Sequence, residues 1–506
     1  MTLFRFLSRD AMASVVVFLV ALPLCMGIAI ASGVPPAKGL ITGIVGGLVV
    51  GLLAGAPLQV SGPAAGLAVL VFELVNRHGL AALGPVLLLA GALQCLAGVL
   101  RLGGWFRIVA PAVVSGMLAG IGILIVLSQL HVMLDAEPAA SGLANLIAFP
   151  GAAWNAVRQV NGSGALIAGA VGVATLVIMW LWERFRPASL RFLPGALIGV
   201  VLVTLASIGW ALPVDRVTLP DDLGQAIDGV GWQDLGLLAD PSLLVAALAM
   251  AFIASAETLL SAAAVDRMHA GPRAKFDREL SAQGVGNMLC GALGALPMTG
   301  VIVRSSANVQ AGARTRLSAI LHGLWLLALV MLLPGVLQSI PVASLGGVLV
   351  YTGGKLVDVR AIRHLGRYGR TPPLIYLATA LSIVGTDLLT GVLVGFALTL
   401  VKLAWSASRL RARWETDEAG GVELRLRGTA TFLSVPKLAR LLGEVSPDTR
   451  LRVSIGRLHY IDHACAELLD DWQRAARQQG GELEMVGNVT MSHRVEGRLR
   501  RRAMAA

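Results

Sequence analysis

The sequence predicts a polytopic α-helical membrane protein followed by a small soluble α/β domain. Three observations carry this. The chain has 506 residues, of which 56% are hydrophobic and only 14% charged, against roughly 25% charged in ordinary soluble domains. Long apolar stretches recur from the N-terminus to about residue 410 and then stop. Two short apolar stretches, one in each half, are interrupted by glycine and proline in corresponding ways.

A full crossing takes ~20 apolar residues, and half-helices take fewer. Fourteen segments meet that standard: about 11–32, 37–56, 62–76, 80–100, 107–130, 163–182, 192–211, 242–265, 280–296, 301–313, 315–336, 342–357, 371–387 and 389–409. The first is too long, and too poor in a following small-residue cleavage site, to be a cleavable signal. The 59 glycines suit close packing of membrane helices. Cys25, Cys95, Cys290 and Cys465 are scattered without metal-ligand spacing and read as packing residues.

Loop charge sets the expected orientation. The loop 212–240 carries Asp215, Asp221, Asp222, Asp228, Asp234 and Asp240 against Arg216. The loops 266–279 and 355–370 are basic, through Arg267, Arg273, Lys275 and Arg278, and through Lys355, Arg360, Arg363, Arg367 and Arg370. Arg101 with Arg107, and Arg184 with Arg186, fall on the same side as those loops. Positive-inside logic places the basic loops and both termini in the cytoplasm and the acidic loop outside. This topology accounts for the net charge of +11, and nucleic acid is not an expected partner. Seven segments per half force the halves, about 11–211 and 242–409, to be inverted relative to each other.

The two interrupted stretches are Gly47–Gly66 and Gly291–Ser306. In each, a glycine-spaced helical pattern ends at a proline (Pro57, Pro297), a few residues suited to non-helical backbone follow, and a helix restarts. Non-helical backbone at membrane depth survives only where protein buries it or where it lines a cavity. A matched pair in two halves points to a secondary transporter with its site between them. Helix N-termini present free N–H groups and the positive dipole end, which suit an anion. Gly62, Pro63, Ala64 and Ala65 are expected to form that end in the first half, and Gly300, Val301, Ile302 and Val303 in the second.

Two charges fall inside these spans. Arg304 lies one turn into the tenth segment. A guanidinium in hydrocarbon costs ~2.5 kcal/mol upward, so it needs a cavity or a partner. It either draws anions into the cavity or pairs with Glu257. Glu257 lies mid-span in the eighth segment with Ser261 at i+4. It is a candidate to bind Na⁺ together with Ser261 and Thr299, or to carry a proton. Anion uptake against a negative-inside potential costs ~2.3 kcal/mol per charge per 100 mV, hence the need for a coupled cation. Glu73, His131 and His322 read as interface or packing residues, Trp105, Trp180 and Trp182 as interfacial anchors, and the Arg498–Arg502 cluster as a solvated tail. No Walker loop is present, and no enzymatic chemistry is expected.

From about 415 the composition turns soluble. Val422–Arg427, Leu451–Ile455 and Glu482–Val486 read as strands, and Pro436–Val445 and His463–Gln479 as helices, the latter capped by Asp462.

These residues carry a resemblance. Pro23 followed by eleven residues and Pro35-Pro36, then Val60-Ser61-Gly62-Pro63, Ala256-Glu257-Thr258-Leu259-Leu260-Ser261 and Arg304–Arg316 together resemble the SulP anion transporters, relatives of animal sulfate transporters, pendrin and prestin. The tail resembles a STAS domain, through the strand before Gly428 and through Tyr460-Ile461-Asp462 opening a helix. The resemblance implies a seven-plus-seven inverted repeat, as in nucleobase transporters, with core and gate domains. It implies a substrate held between the third and tenth segments, so that Leu24 and Ile28 of the first segment also face it. It implies a homodimer in the cytoplasmic (inner) membrane, with bicarbonate or sulfate as substrate and symport with Na⁺ or H⁺ as the coupling. Three positions depart from the family pattern. Leu24 stands where animal members often have Gln, Ala64 where relatives often have an aromatic residue or Thr, and His463 where many STAS domains have a phosphorylatable Ser. The small walls at Leu24 and Ala64 leave room for a C4-dicarboxylate such as fumarate, the alternative substrate class; a nucleobase symporter and a non-transporting scaffold are the remaining rivals. The expected domains are 1–410 for transport and 411–506 for the STAS domain.

Overall fold

The computed structural model describes residues 6–104, 111–139, 141–158, 164–187, 190, 193–220, 223–407, 410–416, 422–446 and 448–486. Trp105, Arg107, Asp221, Asp222 and the basic cluster at 498–502 lie outside the described residues. The chain divides into two compact units, 1–396 and 397–506.

The first unit opens with α1 (Leu7–Ala31), which carries Pro23 in its interior. That proline has no N–H to give, so the carbonyl of Leu19 loses its i+4 donor. Next, α2 (Pro36–Val45) starts on a proline at its first position and runs through a π-helical turn, Gly46–Val50, into α3 (Gly51–Leu53). The strand β1 (Ser61–Pro63) follows, then a 3₁₀ turn, Ala65–Leu67, that leads directly into α4 (Ala68–His78). The first half continues with α5 (Leu83–Val99), α6 (Pro111–Val132), α7 (Gly142–Arg158), α8 (Gly164–Phe185) and α9 (Gly195–Gly209). The second half runs α10 (Pro241–Val265), α11 (Phe276–Ala292), β2 (Met298–Gly300), α12 (Ile302–Gln310) and α13 (Leu317–Leu332), then α14 (Pro334–Gln338), α15 (Val342–Leu356), α16 (Val359–Gly366), α17 (Thr371–Gly385) and α18 (Leu388–Ala407).

Among the described residues, eight helical stretches are long and apolar enough to cross a membrane, and three shorter apolar helices join them. Each of the fourteen sequence segments holds a helix. The helix α7 lies in a stretch that the sequence analysis left without an element. Pro150 in its interior and Asn145, Asn155 and Arg158 break its apolar pattern.

Packing sorts the helices into two groups. α1, α2, α5, α10, α11, α12 and α13 pack on one another and on the β1–β2 ribbon, while α6, α8, α9, α15 and α17 form the second group. The connection 212–240 touches both. Val217 N–H donates to Ile340 at 2.9 Å and Asp215 accepts from Val342 at 2.9 Å, on the second group. Further along, Asp228 pairs with the buried Lys38 of α2 at 2.6 Å, on the first.

The second unit takes in the end of α18 and a four-stranded sheet in the order β3 (Leu410–Thr416), β4 (Val422–Ala430), β5 (Arg450–Ile461) and β6 (Glu482–Val486). β3 pairs antiparallel with β4, and the other neighbours are parallel. α19 (Val435–Gly443) and α20 (His463–Gln478) supply Leu438, Leu442, Cys465 and Leu469 to a core with Leu424, Val453 and Ile455. Asp462 caps α20 by accepting from the Cys465 N–H at 2.9 Å. Burial, with the Asp462 carboxylate beside it, pushes the Cys465 thiol up to about 12, so it is an inert packing group. The strand β3 is not among those expected from the sequence. Its alternation, Leu410-Arg-Ala412-Arg-Trp414, follows directly on the last apolar helix.

Candidate functional site

The two interrupted stretches meet. β1 and β2 pair antiparallel, with Ser61 opposite Gly300, Gly62 opposite Thr299 and Pro63 opposite Met298. The ribbon and its flanks are held by polar partners, as backbone at membrane depth requires. Ala64 N–H donates to Pro297 O at 3.3 Å and Val301 N–H to Val60 O at 2.9 Å. Gly300 N–H donates to Thr258 Oγ1 at 3.2 Å, and Val60 N–H to Ser305 Oγ at 2.9 Å. Asn287 brackets Met298, accepting from its N–H at 2.8 Å and donating to its carbonyl at 3.1 Å. Gln283 donates to Ser61 Oγ at 2.6 Å, and Glu279 accepts from the Gly55 and Ala56 N–H groups, each at 2.8 Å. Glu279, Gln283 and Asn287 stand at i, i+4 and i+8 on α11, one polar row along one face. Sequence reasoning missed this row, although its spacing was the available signal.

From the ribbon two helices restart. Neither is capped by a side chain: Ala64 precedes the turn into α4, and Val301 precedes α12. The N–H groups of a first helical turn have no intrahelical partner, so those of Ile302, Val303 and Arg304 are available in the second half. In the first half the helix begins later than the sequence analysis expected. Gly62 and Pro63 are strand residues, proline has no N–H, and the N–H of Ala64 is already used. Ala65 and Gly66 take the place of that quartet. Gly300 is likewise a strand residue whose N–H is bonded, so the second helix end starts at Val301.

A cavity of about 480 Å³ opens between the two packing groups. Of the residues marked in the sequence, Leu24, Ile28, Ala65, Glu257, Ser261 and Val301, Ile302 and Val303 line it, and so does Gly66. Gly62, Pro63, Ala64, Thr299, Gly300 and Arg304 do not. The second group contributes Met117 and Ile125 of α6, Met179 and Glu183 of α8, and Tyr351 and Lys355 of α15, none of which the sequence had marked as site residues.

Arg304 is placed behind the ribbon. It is fully buried with the Cys25 thiol beside it, and among the described residues none of its three side-chain nitrogens has an oxygen or nitrogen partner within hydrogen-bond geometry. A Cβ on Gly62 would crowd Arg304 Nη1, so the guanidinium packs directly against the Gly62 backbone. The ion pair with Glu257 that the sequence allowed is not formed; among the described residues Arg304 has no salt-bridge partner. Glu257 instead lies against the restart of the first half-helix. A Cβ on Gly66 would meet Glu257 Oε2 at 2.7 Å. The carboxylate of Glu257 and the fully buried Thr299 hydroxyl are neighbours, yet among the described residues neither Glu257 Oε2 nor Thr299 Oγ1 forms a well-aligned hydrogen bond. Glu73 is held by Arg77 at 2.5 Å, apart from the site. His322 is buried, its Nδ1 on the Ala319 carbonyl.

The chain is similar to known proteins over most of its length. The model of the Sulfate permease family matches residues 7–379. The putative sulfate transporter YvdB of Bacillus subtilis is 27% identical over 496 residues, covering 95% of this chain and 91% of that protein. The bicarbonate transporter BicA of Synechocystis is 28% identical over 412 residues, covering 78% of this chain and 69% of that protein. Among solved structures, the transmembrane domain of a cyanobacterial BicA superposes with a TM-score of 0.66 at 26% identity, over 77% of this chain and 98% of that one. SLC26A9 superposes with a TM-score of 0.77 over 98% of this chain and 87% of that one; at 14% identity it shows the fold alone. The helical bundle and the C-terminal sheet both fall within the length superposed on SLC26A9, and the chain belongs to the Sulfate permease family, a family of multi-pass membrane transporters.

Proposed function

We propose that this protein is a secondary active transporter of small inorganic oxyanions, bicarbonate or sulfate, working by alternating access. The observation that carries the reading is the pair of uncapped helix starts, at Ala65–Gly66 and Val301–Val303, facing one cavity from a shared β-ribbon. Two positive helix ends converging on an aqueous space bind an anion without a dedicated side chain. Buried Arg304 adds fixed positive charge from behind the ribbon, where low polarizability lets it act at a distance. The relatives' names, sulfate and bicarbonate transporters, support the substrate class.

Glu257, with Ser261 and Thr299, is the proposed site of the coupling cation, Na⁺ or H⁺. Its unpartnered Oε2 and the orphaned Thr299 hydroxyl support this assignment, since a bound cation or a proton satisfies both. The two packing groups take the parts of core and gate, each drawing helices from both of the inverted sets of seven segments within about 1–410. The sheet that follows takes the part of a cytoplasmic STAS domain. A homodimer in the inner membrane, with both termini in the cytoplasm, completes the proposal. C4-dicarboxylates are the competing substrate class, because a cavity of about 480 Å³ with small walls at Leu24 and Ala65 admits them too. The test is radiolabelled uptake into proteoliposomes under separate Na⁺ and H⁺ gradients, with sulfate, bicarbonate and fumarate compared. Accumulation of sulfate or bicarbonate supports the reading; accumulation of fumarate alone replaces it with the dicarboxylate.

A further inference from the structure

The cavity does not end at the helix starts. Its lining continues along the second packing group to Glu183 at the end of α8, Arg186 just beyond it, and Tyr351 and Lys355 on α15. Glu183 and Lys355 are exposed, so this is a mouth of the cavity. Here the charges are unequally used. Lys355 is spent on Glu183, with Nζ at 2.9 Å from Oε1 and 2.6 Å from Oε2. The Tyr351 hydroxyl also donates to Glu183 Oε2, at 2.6 Å. Arg186 has no side-chain hydrogen bond or ion pair among the described residues, yet it lines the cavity.

We infer that Arg186 is a gate-side anion contact, a station through which the substrate passes between the helix starts and the side bearing the basic loops. The inference rests on the anion-transport reading above and adds a binding residue to it. The sequence offered Arg304 as the cation of the cavity, but Arg304 is sealed behind the ribbon. Arg186 is the cavity-lining guanidinium with its donors uncommitted, and a planar fork matches a carboxylate-like or tetrahedral oxyanion bidentately. Glu183 keeps the neighbouring ammonium occupied, which leaves one free positive charge at the mouth rather than two. An anion arriving there is attracted without being trapped, as passage requires.

The experiment measures half-saturating sulfate and bicarbonate concentrations on each side of oriented proteoliposomes, for the full chain and for Arg186→Gln, Arg186→Lys and Glu183→Gln. Arg186→Gln should raise the cytoplasmic-side KM about tenfold for sulfate, and less for singly charged bicarbonate, with the opposite-side KM unchanged. The unchanged opposite side also shows that the variant is folded. Arg186→Lys should restore part of the loss. Glu183→Gln should lower the same KM by releasing Lys355. A cytoplasmic-side KM unaltered in Arg186→Gln, or altered equally on both sides, overturns the inference while the transport reading stands. If the unmodified protein carries neither anion, the transport reading fails and this inference falls with it.

Discussion

Arg304 and Glu257 bring opposite charges into the same apolar unit, and the structure seats them apart. The guanidinium occupies the space a side chain on Gly62 would take, and the carboxylate occupies the space of one on Gly66. A buried cation with no counter-ion destabilises a fold, so its presence beside the ribbon argues for function. Arg304→Met keeps the volume and removes the charge. It should raise the melting temperature by a few degrees, or leave it unchanged, while cutting anion uptake at least about tenfold. Uptake at the unmodified rate would remove Arg304 from the account. Glu257→Gln keeps the shape but neither charges nor carries a proton at working pH. Concentrative uptake should be lost and anion exchange retained; accumulation with unchanged cation dependence would make Glu257 a structural residue.

At the scale of elements, the ribbon β1–β2 is the part on which the site depends, and α11 is what holds it. Glu279→Ala strands the Gly55 and Ala56 N–H groups and frees Gln283 from one of its two partners. Each unsatisfied buried group costs about 1–3 kcal/mol, so this variant should lose several degrees of melting temperature and transport together. Thermal melts in detergent check it, and an unchanged melt would show that the row is dispensable. The breaks themselves were legible in the sequence because glycine and proline mark them at Gly55–Pro57 and Gly294–Pro297. Their pairing as strands was not, since three residues give no period to read. The second-half helix start was legible to within a residue at Val301–Val303, whereas the first was placed too early. Pro63 suits the first position of a helix, and here the demand of β2 for a partner overrides that preference. The contribution of Glu183, Arg186, Tyr351 and Lys355 was hidden for another reason. They come from distant parts of the chain and meet only through the packing of α8 on α15.

In the whole molecule, every residue lining the cavity belongs to the unit 1–396. Truncation after Ala407 removes the entire four-stranded sheet, β3 included. It should lower the amount or the rate of transporter without reordering the preference among sulfate, bicarbonate and fumarate at matched membrane amounts. A reordered preference would give the C-terminal domain a share in the substrate site. The central claim is that two helix starts bind an oxyanion whose uptake a cation drives through Glu257. It is tested most directly by accumulation of labelled sulfate and bicarbonate in proteoliposomes of the full-length protein under imposed Na⁺ or H⁺ gradients. The account predicts that one of these anions rises above its equilibrium level, falls back when the gradient is collapsed, and never accumulates in Glu257→Gln. Equilibration without accumulation under either gradient, or accumulation that survives in Glu257→Gln, would contradict it.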